Sequence, residues 1–320
     1  MISVIIKFVN SLEKNSTVFK NFLSQKRLIF MYNFPIGVIV DSFRLPMAEA
    51  VKKAKEVGAQ GIQVYASHGD MAPENMTPAK IAEFRKLVSD NGLVISALCG
   101  DLGGGGFVHP DKNAEKVEKS KRILDLAKEL GTDIVTTHIG VVPADANNER
   151  YKIMQAACFE LSSYADTINS HFAVETGPEK SIILKNFLDS LGSRGVGVNL
   201  DPANLIMVSG DAPVEAVYNL KDYIVHTHAK DGYMRFYENP EIVYGMPGAR
   251  EMAEGEHAIE GDSYEEVPLG SGSVPFPYYL KALEDIGYKG FLTIEREVGA
   301  DPAKDIGLAV KYLQGIINEG

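Results

Sequence analysis

The sequence predicts an α/β fold, a single (β/α)₈ TIM barrel. From Pro35 onward, short runs rich in Val and Ile alternate strictly with longer amphipathic stretches, and eight such strand–helix units fit into the chain. Strict alternation calls for parallel strands joined by helical crossovers. Eight units close into a barrel more readily than they spread into an open doubly wound sheet.

The elements follow in order. Ile36–Val40 is the first predicted strand, and Met47–Val57 forms the core of a helix that Gly58 ends. Ile62–Tyr65 is the second strand. The second helix, Ile81–Asp90, takes a cap and a first-turn proline from Thr77-Pro78. Asn91-Gly92 breaks the chain before strand Leu93–Leu98, and the helix Asp111–Leu130 stops at Gly131. Strand Ile134–Thr137, helix Arg150–Asn169, strand Phe172–Val174 and helix Ile182–Leu191 come next, then strand Val196–Leu200 and helix Pro213–Leu220. Strand Ile224–Thr227 is not followed at once by its helix. Lys230–Gly272, rich in Gly, Pro, Glu and Tyr, exceeds an ordinary connection. A lid over the site is expected there, the alternative being an insertion with short elements of its own. Helix Tyr278–Ile286, strand Phe291–Ile294 and helix Pro302–Ile317 complete the set. Residues 34–320 therefore read as one barrel domain carrying the long loop 230–272 after strand seven. Residues 1–33 read as an N-terminal extension, loosely attached or lying ahead of a native start at Met31.

Composition bounds the function. Hydrophobic residues at 45% and charged residues at 23% suit a protein with a large core. A net charge of −11 argues against a nucleic-acid partner, which needs a basic face. No run reaches the ~18 apolar residues of a membrane span. Met1–Asn10, interrupted by Lys7, lacks the order of a secretory signal. Cys99 and Cys158 form no CxxC pair, which speaks against a disulfide framework or a cysteine zinc site and for a reducing cytoplasm.

In a barrel, residues at the carboxyl ends of the strands converge on one face. The last four predicted strands end in Glu175, Asp201, His226-Thr227-His228 and Glu295. Each alone has a plain structural reading: Asp201 before Pro202 could cap a helix, and His228 could be a satisfied core histidine. Their occurrence on four successive strands outweighs those readings. Carboxylates at that density resist ionising together unless a cation sits among them. One divalent metal ion is therefore expected on Glu175, Asp201, His228 and Glu295. The oxygen-rich set favours Mn²⁺, with Mg²⁺, Co²⁺ or Zn²⁺ compatible. His226 and His228 point to the same side of their strand, and His226 is expected one layer deeper, still near the substrate. His138, Asn204, Lys230 and Arg296 are further candidates for substrate contact, with Asp41, Tyr65 and Asp101 weaker ones. Gly103–Gly106 lacks the GxxxxGK[ST] pattern and reads as a flexible turn near the pocket mouth rather than a phosphate loop. Cys99 could line the pocket, but no spacing makes it a nucleophile.

These residues carry a resemblance. From Pro35 to the end the chain resembles the xylose-isomerase-like sugar isomerases and epimerases, including the ketose 3-epimerases and inosose dehydratases. The resemblance rests on His226-Thr-His228-Ala-Lys230-Asp231 and on Leu269-Gly270-Ser-Gly272, Pro275-Phe276, Leu283, Gly287-Tyr288-Lys-Gly290 and Ile294-Glu295. It implies that Glu175, Asp201, His228 and Glu295 are the metal ligands, that the substrate is a small sugar-like molecule and that the protein is a homo-oligomer. It also implies catalysis by Glu175 and Glu295 as acid and base through a metal-stabilised enediolate. Asn204 stands where ketose epimerases commonly carry His, a departure at the substrate. The expected activity is a metal-dependent isomerase or epimerase of a sugar, cyclitol or keto-sugar. The alternative is a lyase on the same scaffold, of inosose-dehydratase type or eliminating across a 3-keto sugar. An abasic-site endonuclease would need more than seven histidines and a basic face. A non-catalytic sugar-binding barrel would not need all three acids and the histidine intact.

Overall fold

The computed structural model describes residues 32–246, 248–249 and 261–319. Eight parallel strands close into a barrel: β1 (Ile36–Ile39), β2 (Gly61–Tyr65), β3 (Val94–Cys99), β4 (Ile134–Thr137), β5 (His171–Glu175), β6 (Val196–Leu200), β7 (Ile224–Ala229) and β10 (Leu292–Ile294). Around the wall they run β1-β10-β7-β6-β5-β4-β3-β2. The strands are buried on both faces, because helices cover the outside and side chains fill the inside.

The helices stand where periodicity puts them, and for the expected reasons. Met47–Val57 buries Ala50, Val51 and Ala54, then ends as the Gly58 N–H bonds back to Ala54 and Lys55 in the left-handed conformation. Pro78–Asp90 starts with Thr77 Oγ1 accepting from the Lys80 N–H. The amino-terminal floor of the barrel is aromatic. Tyr32 stacks on Phe34 with ring centres 5.9 Å apart, and Phe34 packs on Tyr288. Tyr32 and Phe34 thus belong to the packed base of the barrel. The rest of the expected N-terminal extension lies outside the described residues.

Nearer the carboxyl ends, the barrel interior departs from the usual Val, Ile and Leu layers. Gln63, Thr136, Asn199, His226, His228 and Thr293 are all buried there. That interior is a platform of hydrogen-bonding groups beneath the strand ends.

The long connection after β7 is not a plain loop. Its described part holds an antiparallel hairpin, β8 (Asp231–Met234) with β9 (Tyr264–Val267), and one helical turn, Pro240–Val243. Residues 250–260 of the predicted loop lie outside the described residues. One carboxylate fixes the base of the insertion. Asp231 Oδ1 accepts from the Gly232 and Val274 N–H groups at 2.9 and 3.1 Å, and Oδ2 accepts from Gly270 and Gly272 at 2.9 Å each. The Asp231 and Leu269-Gly270-Ser271-Gly272 segments are thus two halves of one clasp. Charge-assisted bonds to buried donors are among the stronger ones, and removing the acceptor leaves all four donors without it. Asp231→Ala should therefore lower unfolding free energy by about 3 kcal/mol, measured by urea titration. A loss under about 0.5 kcal/mol, the range of ordinary surface changes, would contradict the clasp.

Candidate metal centre

Glu175 closes β5, Asp201 and Glu295 directly follow β6 and β10, and His228 lies near the end of β7, so the barrel's curvature turns all four side chains inward. One ligand atom from each lies within 4.8 Å of the others, and all four residues are buried. His228 Nδ1 is 3.4 Å from Glu175 Oε1, 3.5 Å from Asp201 Oδ2 and 3.2 Å from Glu295 Oε2. Asp201 Oδ1 caps the short helical stretch after β6 through the Ala203 and Asn204 N–H groups. Its Oδ2 is buried without a hydrogen-bond partner.

Electrostatics explain the strain of this arrangement. Burial pushes the Asp201 carboxyl up, and His228 and Lys230 only partly offset that. Burial also opposes ionisation of Glu295, but Lys230 and His228 outweigh it and hold its carboxyl well below the usual range. Desolvation would lower His228, yet Glu295 and Glu175 drive it well above an ordinary histidine. Three carboxylates face one imidazole and one ammonium, so the cluster is short of positive charge. A buried oxygen with an unused lone pair, three oxygen donors and one nitrogen fit a divalent cation.

The platform below orients these ligands. His228 Nε2 lies 3.1 Å from Gln63 Oε1, and Gln63 Nε2 donates to Thr136 Oγ1 at 2.9 Å. Nε2 is thereby the anchored nitrogen, and Nδ1 faces the acids. Asn199 Nδ2 donates to Glu175 Oε2 at 3.2 Å. Because a carboxylate only accepts, that bond fixes the Asn199 amide and leaves its Oδ1 to accept from His226 Nδ1 at 2.9 Å. His226 Nε2 then accepts from Thr293 Oγ1 at 3.0 Å. Burial, with the nearby charge of His228, keeps His226 neutral, far below its ordinary pKa.

A cavity of about 190 Å³ opens above the cluster. Of the expected substrate contacts, His138, Asn204 and Lys230 line it. Asn204 Nδ2 donates to Glu175 Oε1 at 3.1 Å. Lys230 Nζ is shared between Glu295, at 3.2 Å, and Glu297. His138 Nδ1 meets Asp101 Oδ2 at 3.4 Å, with Nε2 3.8 Å from Glu175. Burial opposes its charge, but Glu175 and Asp101 raise its pKa to about 9.

Two expected contacts stand elsewhere. Arg296 follows Glu295 by one residue, so strand alternation turns it outward, where it binds Glu266 at 2.6 Å and Asp305 at 3.0 Å. His226 sits a layer beneath the cavity, closed off by the platform. Sequence reasoning missed Gln63 and Asn199, whose signal was a polar residue in mid-strand. It also missed Tyr244 and Tyr264, which the insertion brings to the cavity wall. The Tyr244 ring lies 5.6 Å from the His138 ring, centre to centre. A larger depression of about 440 Å³ lies at the opposite, amino-terminal end of the strands, near Asp133, His171 and Val225. None of the four clustered residues reaches it.

Comparison with known proteins agrees with this architecture. Residues 51–316 match the family model described as xylose isomerase-like TIM barrel. An uncharacterized protein of Methanocaldococcus jannaschii, MJ1311, is 24% identical over 218 residues, 63% of this chain and 64% of its own length. This chain thus spans under two thirds of that relative. A xylose isomerase domain protein from Planctomyces limnophilus superposes with a TM-score of 0.70 at 27% identity, over 90% of this chain and 98% of that one. The probable 3-DHS dehydratase AsbF of Bacillus anthracis gives 0.64 at 18% identity, over 88% and 98%. The 3-keto-D-glucoside 4-epimerase YcjR of E. coli gives 0.63 at 15% identity, over 88% and 98%. At those last two identities the likeness is one of fold.

Two expectations follow from the site. Gln63→Leu removes the anchor on His228 Nε2 and should weaken Mn²⁺ binding by about 10- to 100-fold, read by calorimetric titration of the folded variant. Unchanged affinity would remove Gln63 from the site. Near the cavity, Glu179 accepts from the Val142 N–H at 3.0 Å, and burial raises its carboxyl to about 8 against that bond. Its native pKa exceeds its unfolded one, so the associated stability is full below about pH 4.5 and is lost as pH rises toward 8. Glu179→Gln should flatten that slope and gain roughly 2–4 kcal/mol relative to wild type at pH 9. Parallel stability curves for the two proteins from pH 5 to 9 would refute this.

Proposed function

Because the chain belongs to the xylose isomerase-like TIM barrel family, we propose that it is a metal-dependent epimerase or isomerase of an uncharged keto-sugar or cyclitol. The observation that carries this is the meeting of Glu175 and Glu295 within 4.8 Å of each other and of Asp201 and His228. Glu175, Asp201, His228 and Glu295 would hold the ion, with Mn²⁺ the preferred occupant. A bound divalent cation polarises a carbonyl and makes the neighbouring C–H acidic.

The chain's own residues do the rest. Glu175 stands on β5 and Glu295 past β10, with β6 and β7 between them. From those positions the two carboxylates address a substrate carbon from opposite sides. One takes its proton and the other returns one, which inverts the centre or moves the carbonyl. Lys230 keeps Glu295 ionised and therefore able to accept. His138 Nε2 and the Asn204 amide face the same cavity and bind hydroxyl oxygens. Tyr244 and Tyr264 wall off solvent.

The charge of the lining supports a neutral substrate. Among the described residues that line the cavity, the cations are Lys230 and the two histidines, His138 and His228, and all three already face carboxylates. Asp101, Glu175, Glu295 and Glu297 line the same space. A phosphate or carboxylate on the substrate would meet an acidic wall with no free cation among the described side chains. Elimination of water after the same first proton transfer is the second reading. It is favoured by the superposition on AsbF, whose name is that of a probable dehydratase.

A panel of neutral ketohexoses, inososes and 3-keto-glucosides, incubated with Mn²⁺ in D₂O, tests the proposal. Deuterium should enter the carbon beside the carbonyl without loss of water. Exchange with water loss would instead assign the lyase, and no exchange on any member would overturn the proton-transfer role. Glu175→Gln and Glu295→Gln, compared at saturating Mn²⁺, should each slow exchange by about 10²- to 10⁴-fold.

A further inference from the structure

Four consecutive glycines, Gly103–Gly106, follow β3, and all four adopt the left-handed conformation, with φ of 61, 60, 73 and 68°. Such a run is open to glycine and closed to other residues. At Gly106 space forbids a side chain as well. A β-carbon on Gly106 would collide with the backbone of Ile139 and Gly140, and one on Gly140 with the Gly105 carbonyl. The turn is therefore pressed against the segment that directly follows His138, and the Phe107 N–H donates to the Ile139 carbonyl at 3.0 Å.

One side chain closes the turn. Lys116, on the helix Pro110–Leu130, places Nζ 2.7 Å from the Gly103 carbonyl oxygen, 2.6 Å from Gly106 and 3.5 Å from Gly104. An ammonium has three protons to donate, and three carbonyls converge on it. The turn in turn holds the cavity wall. The Gly103 N–H donates to Asp101 Oδ1 at 2.8 Å, and Asp101 Oδ2 faces His138 Nδ1.

We infer that Lys116 is a positioning residue: its ammonium holds the glycine turn closed, the turn holds Asp101 and the His138 segment, and the three carbonyls form a cradle for any cation of ammonium size. The effect on turnover rests on the proposed function. The cradle itself does not.

The experiment compares Lys116→Ala, Lys116→Met and Lys116→Arg in the full chain, loaded with diamagnetic Mg²⁺ for the resonance measurements and with Mn²⁺ for the kinetics. Histidine-selective ¹³C labelling reports the His138 ring without any substrate, and kinetics on the substrate found by the panel report its consequence. Lys116→Ala should shift the His138 resonances and raise KM by roughly tenfold, the worth of about one lost hydrogen bond, with kcat little changed. Methylammonium should restore both readouts, and tetramethylammonium, too large for the cradle, should not. Lys116→Met keeps the stem without the charge, so it should show the same defect with no rescue, whereas Lys116→Arg, which keeps the charge on a larger planar group, should retain the wild-type values only in part. Unshifted His138 resonances in folded Lys116→Ala, or recovery equal in the two ammonium salts, would overturn the inference. If Lys116→Ala does not fold in either salt, wild-type His138 signals in Lys116→Met would overturn it. Should the wild-type enzyme process no substrate in the panel, the proposed function fails while the resonance test still decides the cradle.

Discussion

Three carboxylates, Glu175, Asp201 and Glu295, are buried together at the mouth of the barrel, and their mutual repulsion is the constraint that organises the molecule around them. Desolvation disfavours each charge, and proximity compounds the penalty. The surrounding structure answers with fixed groups: Lys230 beside Glu295, His228 at the centre, and the Asn199 and Asn204 amides on the two oxygens of Glu175. These groups reduce the charge excess without cancelling it. What is left is a charge excess suited to a divalent cation, since packing holds the three carboxylates at a separation they would not choose.

The polar platform follows from the same constraint. A histidine that must present Nδ1 upward needs an acceptor below, and Gln63 supplies it from the opposite side of the barrel. The chain Glu175–Asn199–His226–Thr293 runs its donors and acceptors in one direction, because its first member can only accept. A Leu or Val layer at that height could not transmit a preferred orientation, whereas hydrogen bonds can.

Strand ends were legible because β-branched runs bounded by Gly, Asn and Pro recur with a regular period, and barrel geometry turns such ends into a site. Interior polar residues were not, since a lone Gln63 or Asn199 in mid-strand has no periodicity to mark it. Parity decides the rest. Along β7, alternation sends His226, His228 and then Lys230 inward, and Thr227 outward to the Phe291 carbonyl. The same rule applied past β10 turns Arg296 outward once Glu295 points in, so adjacency to a ligand in sequence is an argument against sharing its cavity. Height matters as much as parity, and His226 shows why: it faces inward but lies too low. Tyr244 and Tyr264 come from an insertion whose path depends on tertiary contacts, among them Arg150 with Glu241 and the clasp at Asp231. No local pattern encodes such contacts.

A division of labour emerges from how the two layers are held. The four clustered residues stand on or beside barrel strands, whose register is fixed by parallel pairing on both sides. Groups that would touch the remainder of a substrate stand on connections: Asp101 and the glycine turn after β3, His138 after β4, and the tyrosines in the insertion after β7. A connection tolerates changes of sequence and length that a barrel strand does not, because it owes the sheet no ladder of hydrogen bonds. Changing what the cavity accepts thus leaves the clustered acids undisturbed. The same physical separation explains why the strand ends point to a type of chemistry with some force while what the cavity accepts stays encoded in loops, where packing rather than periodicity sets the shape.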